Sequence, residues 1–177
     1  MTKQNKKLSE TLIRMAQRDQ EAIRRVRETL VFDDKVQRAN TERLKKIIEK
    51  YGWPTIDLVG EKASRNAWLI VQHADHRVKF QKKCLAMMRE IYQRNPRNIS
   101  RENIAFLTDR ILVNTKKKQL FGTQFYVNKK NIFTYRPIKN FRNLDKRRKE
   151  YNIPPFREYT EAMKSVGPLQ IKGFKQK

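Results

Sequence analysis

The chain carries a single cysteine, Cys84, in 177 residues. That rules out an internal disulfide and any zinc finger or ribbon built on cysteine pairs. Only two histidines are present, His73 and His76, so a metal would have to rely mostly on carboxylates, and none is expected. Acidic residues are scarce as well. Asp and Glu number 18 against 42 Lys and Arg, for a formal net charge of +24. No stretch approaches the roughly 18 apolar residues that span a bilayer. The opening Met1-Thr2-Lys3-Gln4-Asn5-Lys6-Lys7 leads into an amphipathic segment, not into the apolar core of a secretory signal. Among five glycines there is no G-x-x-x-x-G-K-S/T, no G-x-G-x-x-G and no G-x-S-x-G, which disfavours classical nucleotide-binding and serine-hydrolase chemistry. A lone cysteine without a signal segment points to a reducing compartment, the cytoplasm, with no membrane partner.

What is present is helical periodicity. Leu8, Leu12, Met15, Ile23, Val26 and Leu30 fall on one stripe of a helix over 8–31. Val36, Leu44, Ile47, Ile48 and Tyr51 do the same over 33–51, which Gly52 and Pro54 terminate. Thr55 to Gly60 reads as a connector. Ala63, Ala67, Ile70 and Ala74 make a small-residue face over 61–74, and Val78, Cys84, Leu85, Met88, Ile91 and Tyr92 mark a helix over 76–94. Asn95-Pro96 breaks the chain, and Ser100 caps a helix over 101–114. After Lys116-Lys117-Lys118 the texture changes: strand formers flank Asn128-Lys129-Lys130-Asn131, which predicts a β-hairpin over about 122–136. Short helices near 143–151 and 156–165 follow. The expected fold is mainly α, one helical bundle over 1–166 with a small C-terminal hairpin, and a flexible tail over 167–177.

Polar residues interrupt these stripes at three places: Asp19, Asn40 and Gln81. A carboxylate or amide on a buried face costs stability unless it is hydrogen-bonded, and breaches of local pattern concentrate at functional or strained sites. The bland reading is a structural network that joins helices. Gln72-His73-Ala74-Asp75-His76 is the densest polar run. His73 is the candidate acid/base, with Asp19, Asp75 or Asp109 fixing its tautomer, although Asp75 also sits where a helix cap belongs. The His73–Asp75 pair is similar to the His-Asp doublet of metal phosphohydrolases, but a second inward histidine is missing. A further group, Asp109-Arg110 with Gly122-Thr123-Gln124, offers a guanidinium fork for an anion and a glycine that admits close backbone approach. Its bland counterpart is a helix ion pair and a strand-start glycine.

The order Asp19-Gln20, Asn40, Gly52-Trp53-Pro54-Thr55, Val59-Gly60, Gln72-His73-Ala74-Asp75, Phe80-Gln81, Leu107-Thr108-Asp109-Arg110 and Gly122-Thr123-Gln124 resembles an uncharacterised bacterial family with a GWPT…VG…QHAD…DR…GTQ pattern. The closing segment, with Arg136-Pro137-Ile138, Asp145, Arg147-Arg148 and Ile153-Pro154-Pro155, is similar to that family's too. The resemblance spans about residues 19–163. It implies one continuous domain and a shared polar cluster, and names no substrate.

Two functions follow as expectations. In the first, the protein is a hydrolase or group transferase acting on a phosphorylated or carboxylated small molecule. His73, Asp19 and Asp109 do the chemistry, and Asn40, Gln72, Asp75, Gln81, Arg110 and Gln124 bind. In the second, it is a non-catalytic nucleic-acid-binding accessory protein working through Lys116, Lys117, Lys118, Lys129, Lys130, Arg147 and Arg148, with Phe125, Tyr126, Phe133 and Tyr135 available for stacking. Residues 115–177 hold 17 Lys and Arg against 4 Asp and Glu, so polyanion binding, where measured, should track this third of the chain. Replacing Lys116, Lys117 and Lys118 together with Ala is expected to weaken it alike for all nucleic-acid sequences. A flatter dependence on salt in a titration of a labelled oligonucleotide would check this, because each neutralised phosphate releases counterions.

Overall fold

The computed structural model describes residues 3–29, 31 and 33–167. Leu30, assigned above to the first stripe, and the tail from 168 onward lie outside the described residues. Eight helices and one two-stranded antiparallel sheet are present among them. The described residues group into two compact units whose boundary falls between Ile99 and Ser100. No Gly- or Ser-rich linker announces that boundary in the sequence; it coincides with the break before the Ser100 cap.

The first unit holds α1 (Lys3–Thr29), α2 (Lys35–Tyr51), α3 (Ile56–Val59), α4 (Glu61–Gln72) and α5 (Val78–Arg94), with 3-10 turns at Asp75–Arg77 and Pro96–Asn98. Helix α1 starts five residues before its first apolar stripe position, because a polar turn needs no apolar side chain to be helical. The Thr55–Gly60 connector contains the one-turn α3, whose Leu58 amide donates to the Thr55 hydroxyl (3.3 Å); a Thr followed by an apolar run is an N-cap signal that glycine and proline on either side obscured. Helix α4 packs against α1, α2, α3 and α5, and its small-residue face permits that crowding: Ala63, Ala67 and Ile70 are buried, as are Leu12, Met15, Leu44 and Met88 on the helices it meets. A Leu that loses all contact with water contributes about 1.5–3 kcal/mol. Val36, Tyr51, Val78, Ile91 and Tyr92, expected inside, are only half-buried, since most lie near helix ends where neighbours run out.

The second unit holds α6 (Arg101–Asn114), strands β1 (Phe125–Val127) and β2 (Phe133–Tyr135), a 3-10 turn at Phe141–Asn143, α7 (Leu144–Glu150) and α8 (Phe156–Val166). Helix α6 begins where the sequence placed it: the Ser100 hydroxyl accepts the Asn103 amide (3.4 Å). The strands pair in the register Phe125–Tyr135, Tyr126–Thr134 and Val127–Phe133. The turn between them uses the Asn128 side chain, whose Oδ1 accepts the Lys130 and Ile132 amides, and a left-handed Asn131. A three-residue hairpin is marginal alone. Here Phe125 meets Tyr159 of α8, and Tyr135 meets Phe156 (ring centroids 5.9 and 5.0 Å). Ala105, Phe121 and Ile153 form the centre of this unit, with Phe106, Leu120 and Tyr151 packed around them.

Cys84 is fully buried, and burial pushes its thiol up to about 12. At about pH 8 a free thiol is substantially ionised and alkylated. The native protein should resist iodoacetamide there and become singly labelled in denaturant, as read by intact mass; rapid labelling of the native chain would contradict this packing.

Candidate functional site

In the first unit the side chain of His73 meets Asp19. The His73 backbone closes the end of α4, its amide donating to the Leu69 carbonyl (3.1 Å). This turns the imidazole out of the helical ladder, and its Nδ1 lies 2.6 Å from Asp19 Oδ2 on α1. A carboxylate accepts, so Nδ1 carries the proton and Nε2 is the ring nitrogen left to exchange one. Among the described residues nothing bonds Nε2, and the side chain is 21% exposed while that of Asp19 is 1% exposed. Gln20 donates to the same Oδ2 (3.1 Å). Asp19 Oδ1 and Gln72 Oε1 are buried acceptors with no partner, an uncommon state for native polar groups.

The other stripe-breakers of this unit have mostly structural employment. The Asn40 amide donates to the Met15 carbonyl (3.0 Å) and ties α2 to α1. Gln81 is buried and donates to the Val71 carbonyl (3.1 Å) at the end of α4 and to Asp75 Oδ1 (3.3 Å). Asp75 is exposed and is the first residue of the 3-10 turn, whose N-cap position is Ala74. His76 is half-buried, and burial, followed by the charge of Arg38, holds it below the usual imidazole range.

In the second unit Asp109 is fully buried, and its two oxygens accept from the amides of Leu120 (2.7 Å), Phe121 (3.1 Å) and Thr123 (3.0 Å) and from the Thr123 hydroxyl (3.0 Å). Burial raises its carboxyl above 3.8, against the lowering effect of these donors. Sequence reasoning assigned Asp109 to acid–base chemistry; its lone pairs are instead engaged in holding the 120–123 turn. Arg110 donates to Gln124 Oε1 (3.1 Å), and Gln124 Nε2 donates to the Thr123 hydroxyl (3.0 Å). Arg110, Gln124, Thr123 and Asp109 thus form one relay of hydrogen bonds.

Two further groups complete this turn. Gln119, which pattern reading missed, is fully buried and imitates a strand: its Oε1 accepts the Gln124 amide (2.8 Å) and its Nε2 donates to the carbonyls of Gln124 (3.1 Å) and Arg136 (2.7 Å). The adjacent Arg147 and Arg148 take the turn's carbonyls. Arg147 donates to Leu120 (3.0 Å), and Arg148 donates to Phe121 and to Pro154 (2.7 Å). Arg148, placed by charge on the basic surface, has no exposed area at all. Its guanidinium lies over the Tyr159 ring (4.8 Å), and burial lowers its basicity. It reads as a surface cation only because a run of Lys and Arg in α7 hides the helical position facing inward. Burial also pushes the Tyr159 phenol up to about 12. Lys116, Lys117, Lys118, Lys129 and Lys130 are exposed as expected.

The sequence-predicted residues therefore come together in two sets. Asp19, His73 and Gln20 meet in the first unit, next in sequence to Gln72, whose Oε1 has no partner among the described residues; Asp109, Thr123, Gln124 and Arg110 meet in the second. Among the described residues no three of His, Cys, Asp and Glu are grouped to hold a metal ion, and no helix is long and apolar enough to cross a membrane. The chain belongs to a family of unknown function (DUF6624), whose model matches residues 7–172. No curated protein and no solved structure matches it.

Gly122 sits in the clamped turn at φ +69°, and a Cβ there would lie 2.6 Å from a ring carbon of Phe156. Gly122→Ala is expected to destabilise by about 2–4 kcal/mol, combining backbone strain with overpacking. Asp109→Ala leaves several buried amides unpaired and should cost about 3 kcal/mol or more. Urea midpoints of the two variants against the parent check both; a loss under 1 kcal/mol for Asp109→Ala would show the turn holding without its carboxylate.

Proposed function

We propose that Asp19 and His73 form an acid–base centre, and that the protein is a hydrolase or group transferase acting on an anionic small molecule, phosphorylated or carboxylated. The observation that carries this reading is the short Nδ1–Oδ2 contact beside a ring nitrogen that no group among the described residues occupies. An imidazole held only for structure is usually satisfied at both nitrogens or wholly buried. This one is oriented by a carboxylate and keeps Nε2 available.

In this reading His73 Nε2 removes a proton from water or from a substrate hydroxyl as the new bond to carbon or phosphorus forms, and returns it to the leaving group. Asp19 does not take the proton. It holds the tautomer and stabilises the imidazolium that develops. Its burial strengthens that interaction by excluding water from between the two groups. The anionic character of the substrate follows from the charge balance: 42 cations against 18 acids set up a field that concentrates small anions. The bland reading, a clasp between α1 and α4, shares the same hydrogen bond and differs in what its removal does.

The test is a turnover screen of the purified chain against phosphate mono- and diesters, carboxylic esters and amides. A substrate should be found whose kcat falls about 100-fold or more in His73→Ala and by a smaller factor in Asp19→Asn, while both variants keep the parent's far-UV circular dichroism. A screen in which turnover is absent, or indifferent to His73→Ala, sinks the catalytic reading. Loss of folding in both variants, with no activity in the parent, leaves the clasp as the pair's role.

A further inference from the structure

The aromatic residues of the second unit fall into two classes. Phe125, Phe133, Phe156 and Tyr159 lie inside a chain of ring contacts. Tyr135 and Phe141 end that chain at the surface, 36% and 52% exposed. Their rings contact each other with centroids 6.3 Å apart and planes inclined by 31°, and each touches Phe156 from the other side (5.0 and 5.6 Å). Two half-open rings are therefore held in place by a third that is buried.

The loop that presents Phe141 is equally fixed. Asn140 is left-handed, and Arg147 Nη2 donates to the carbonyls of Lys139 (2.8 Å) and Asn140 (3.0 Å). Lys139 and Arg142 flank Phe141 in the chain, and Lys146 follows in α7; all three are exposed. The acid of this stretch, Asp145, has one oxygen engaged by the Phe156 amide (2.7 Å). Packing explains Phe156. It does not explain why two large rings are left half-open among cations in a chain that has so few acids to neutralise them.

We infer that Tyr135 and Phe141, with Lys139, Arg142 and Lys146, form a binding site for single-stranded nucleic acid. Unpaired bases stack on the two ring faces, and the three cations take the neighbouring phosphates. A duplex hides its base faces and gains only the phosphate contacts. An anionic membrane is the rival for a basic aromatic patch. However, the exposed large hydrophobic side chains of this stretch are mainly these two flat rings, which suit stacking; the one exposed large aliphatic nearby in sequence, Ile132, lies in the hairpin turn and not in the ring pair. This inference stands apart from the acid–base proposal and uses none of its residues.

The test is fluorescence anisotropy of the full chain with a labelled oligo-dT of about 20 nucleotides, long enough for the usual site size, and with the matching duplex, at low and moderate salt. The single strand is expected to bind more tightly, with affinity falling steeply between roughly 50 and 200 mM salt. Phe141→Ala should weaken single-strand binding about fivefold or more with the salt slope unchanged, since stacking is lost and no charge is. Phe141→Trp should retain it. Lys139→Ala with Arg142→Ala should reduce the salt slope by about two, one per lost phosphate contact. Phe141 is half-exposed, so its variants should melt close to the parent; the charge variant carries the test should they not. Absence of single-strand binding at low salt, or parental affinity in both Phe141→Ala and the charge variant, overturns the inference. So does Phe141-dependent binding to phosphatidylserine vesicles with no binding to the oligonucleotide.

Discussion

A carboxylate buried in a chain with more than twice as many cations as acids has to be satisfied by directed hydrogen bonds, and each unit of this protein is arranged around one. Taking an ion out of water costs several kcal/mol unless its lone pairs are matched. Asp109 meets that requirement at both oxygens with backbone amides and a hydroxyl, whereas Asp19 meets it at Oδ2 alone, with an imidazole and an amide side chain, and its Oδ1 has no partner among the described residues. The difference in partners separates what the two groups can do. Backbone amides cannot leave a carboxylate without unfolding a turn, so Asp109 is committed. The imidazole on Asp19 is a side chain at the end of a helix, so that contact can change without unfolding a turn.

The 120–123 turn shows how a short irregular segment becomes as rigid as a helix. Its amides go to Asp109, its carbonyls to Arg147 and Arg148, and its flank to the amide of Gln119. The hairpin that follows could not hold its register on three residue pairs alone. Its start is set by Gln119 and Gln124, and one aromatic face is then closed by α8. Arg148 shows the cost of such an arrangement. Its Nη2 is buried without a partner, and the ring of Tyr159 beneath the guanidinium offsets part of that loss.

Both functional proposals rest on what packing leaves open. Among the described residues nothing bonds Nε2 of His73, and the Tyr135–Phe141 pair stays half-open to solvent where Phe156 is buried. Asn40, Gln81 and Gln119 point the other way. Each breaks an apolar pattern or lies buried, and each spends its amide on a backbone carbonyl of another element. A polar residue on a buried stripe is thus evidence of a hydrogen bond before it is evidence of chemistry, and only its unsatisfied atoms separate the two.

The helices were legible because hydrophobic spacing of three and four residues is a local property: α6 begins at the residue after its Ser100 cap, and the remaining long helices end within a few residues of their expected bounds. The short α3 was not, since four residues carry too little periodicity to outweigh flanking glycine and proline. Asp19 and His73 could each be picked out along the chain, as a carboxylate on an apolar stripe and a histidine in a polar run. That they face each other at 2.6 Å depends on how α1 lies on α4, which no local pattern encodes over 54 residues of separation. The same holds for Arg148 and Gln119. Composition made one a surface cation and gave no signal for the other, because the sequence alone determines charge and periodicity. Which side of a short helix or loop turns inward is decided by the contacts that tertiary packing brings to it.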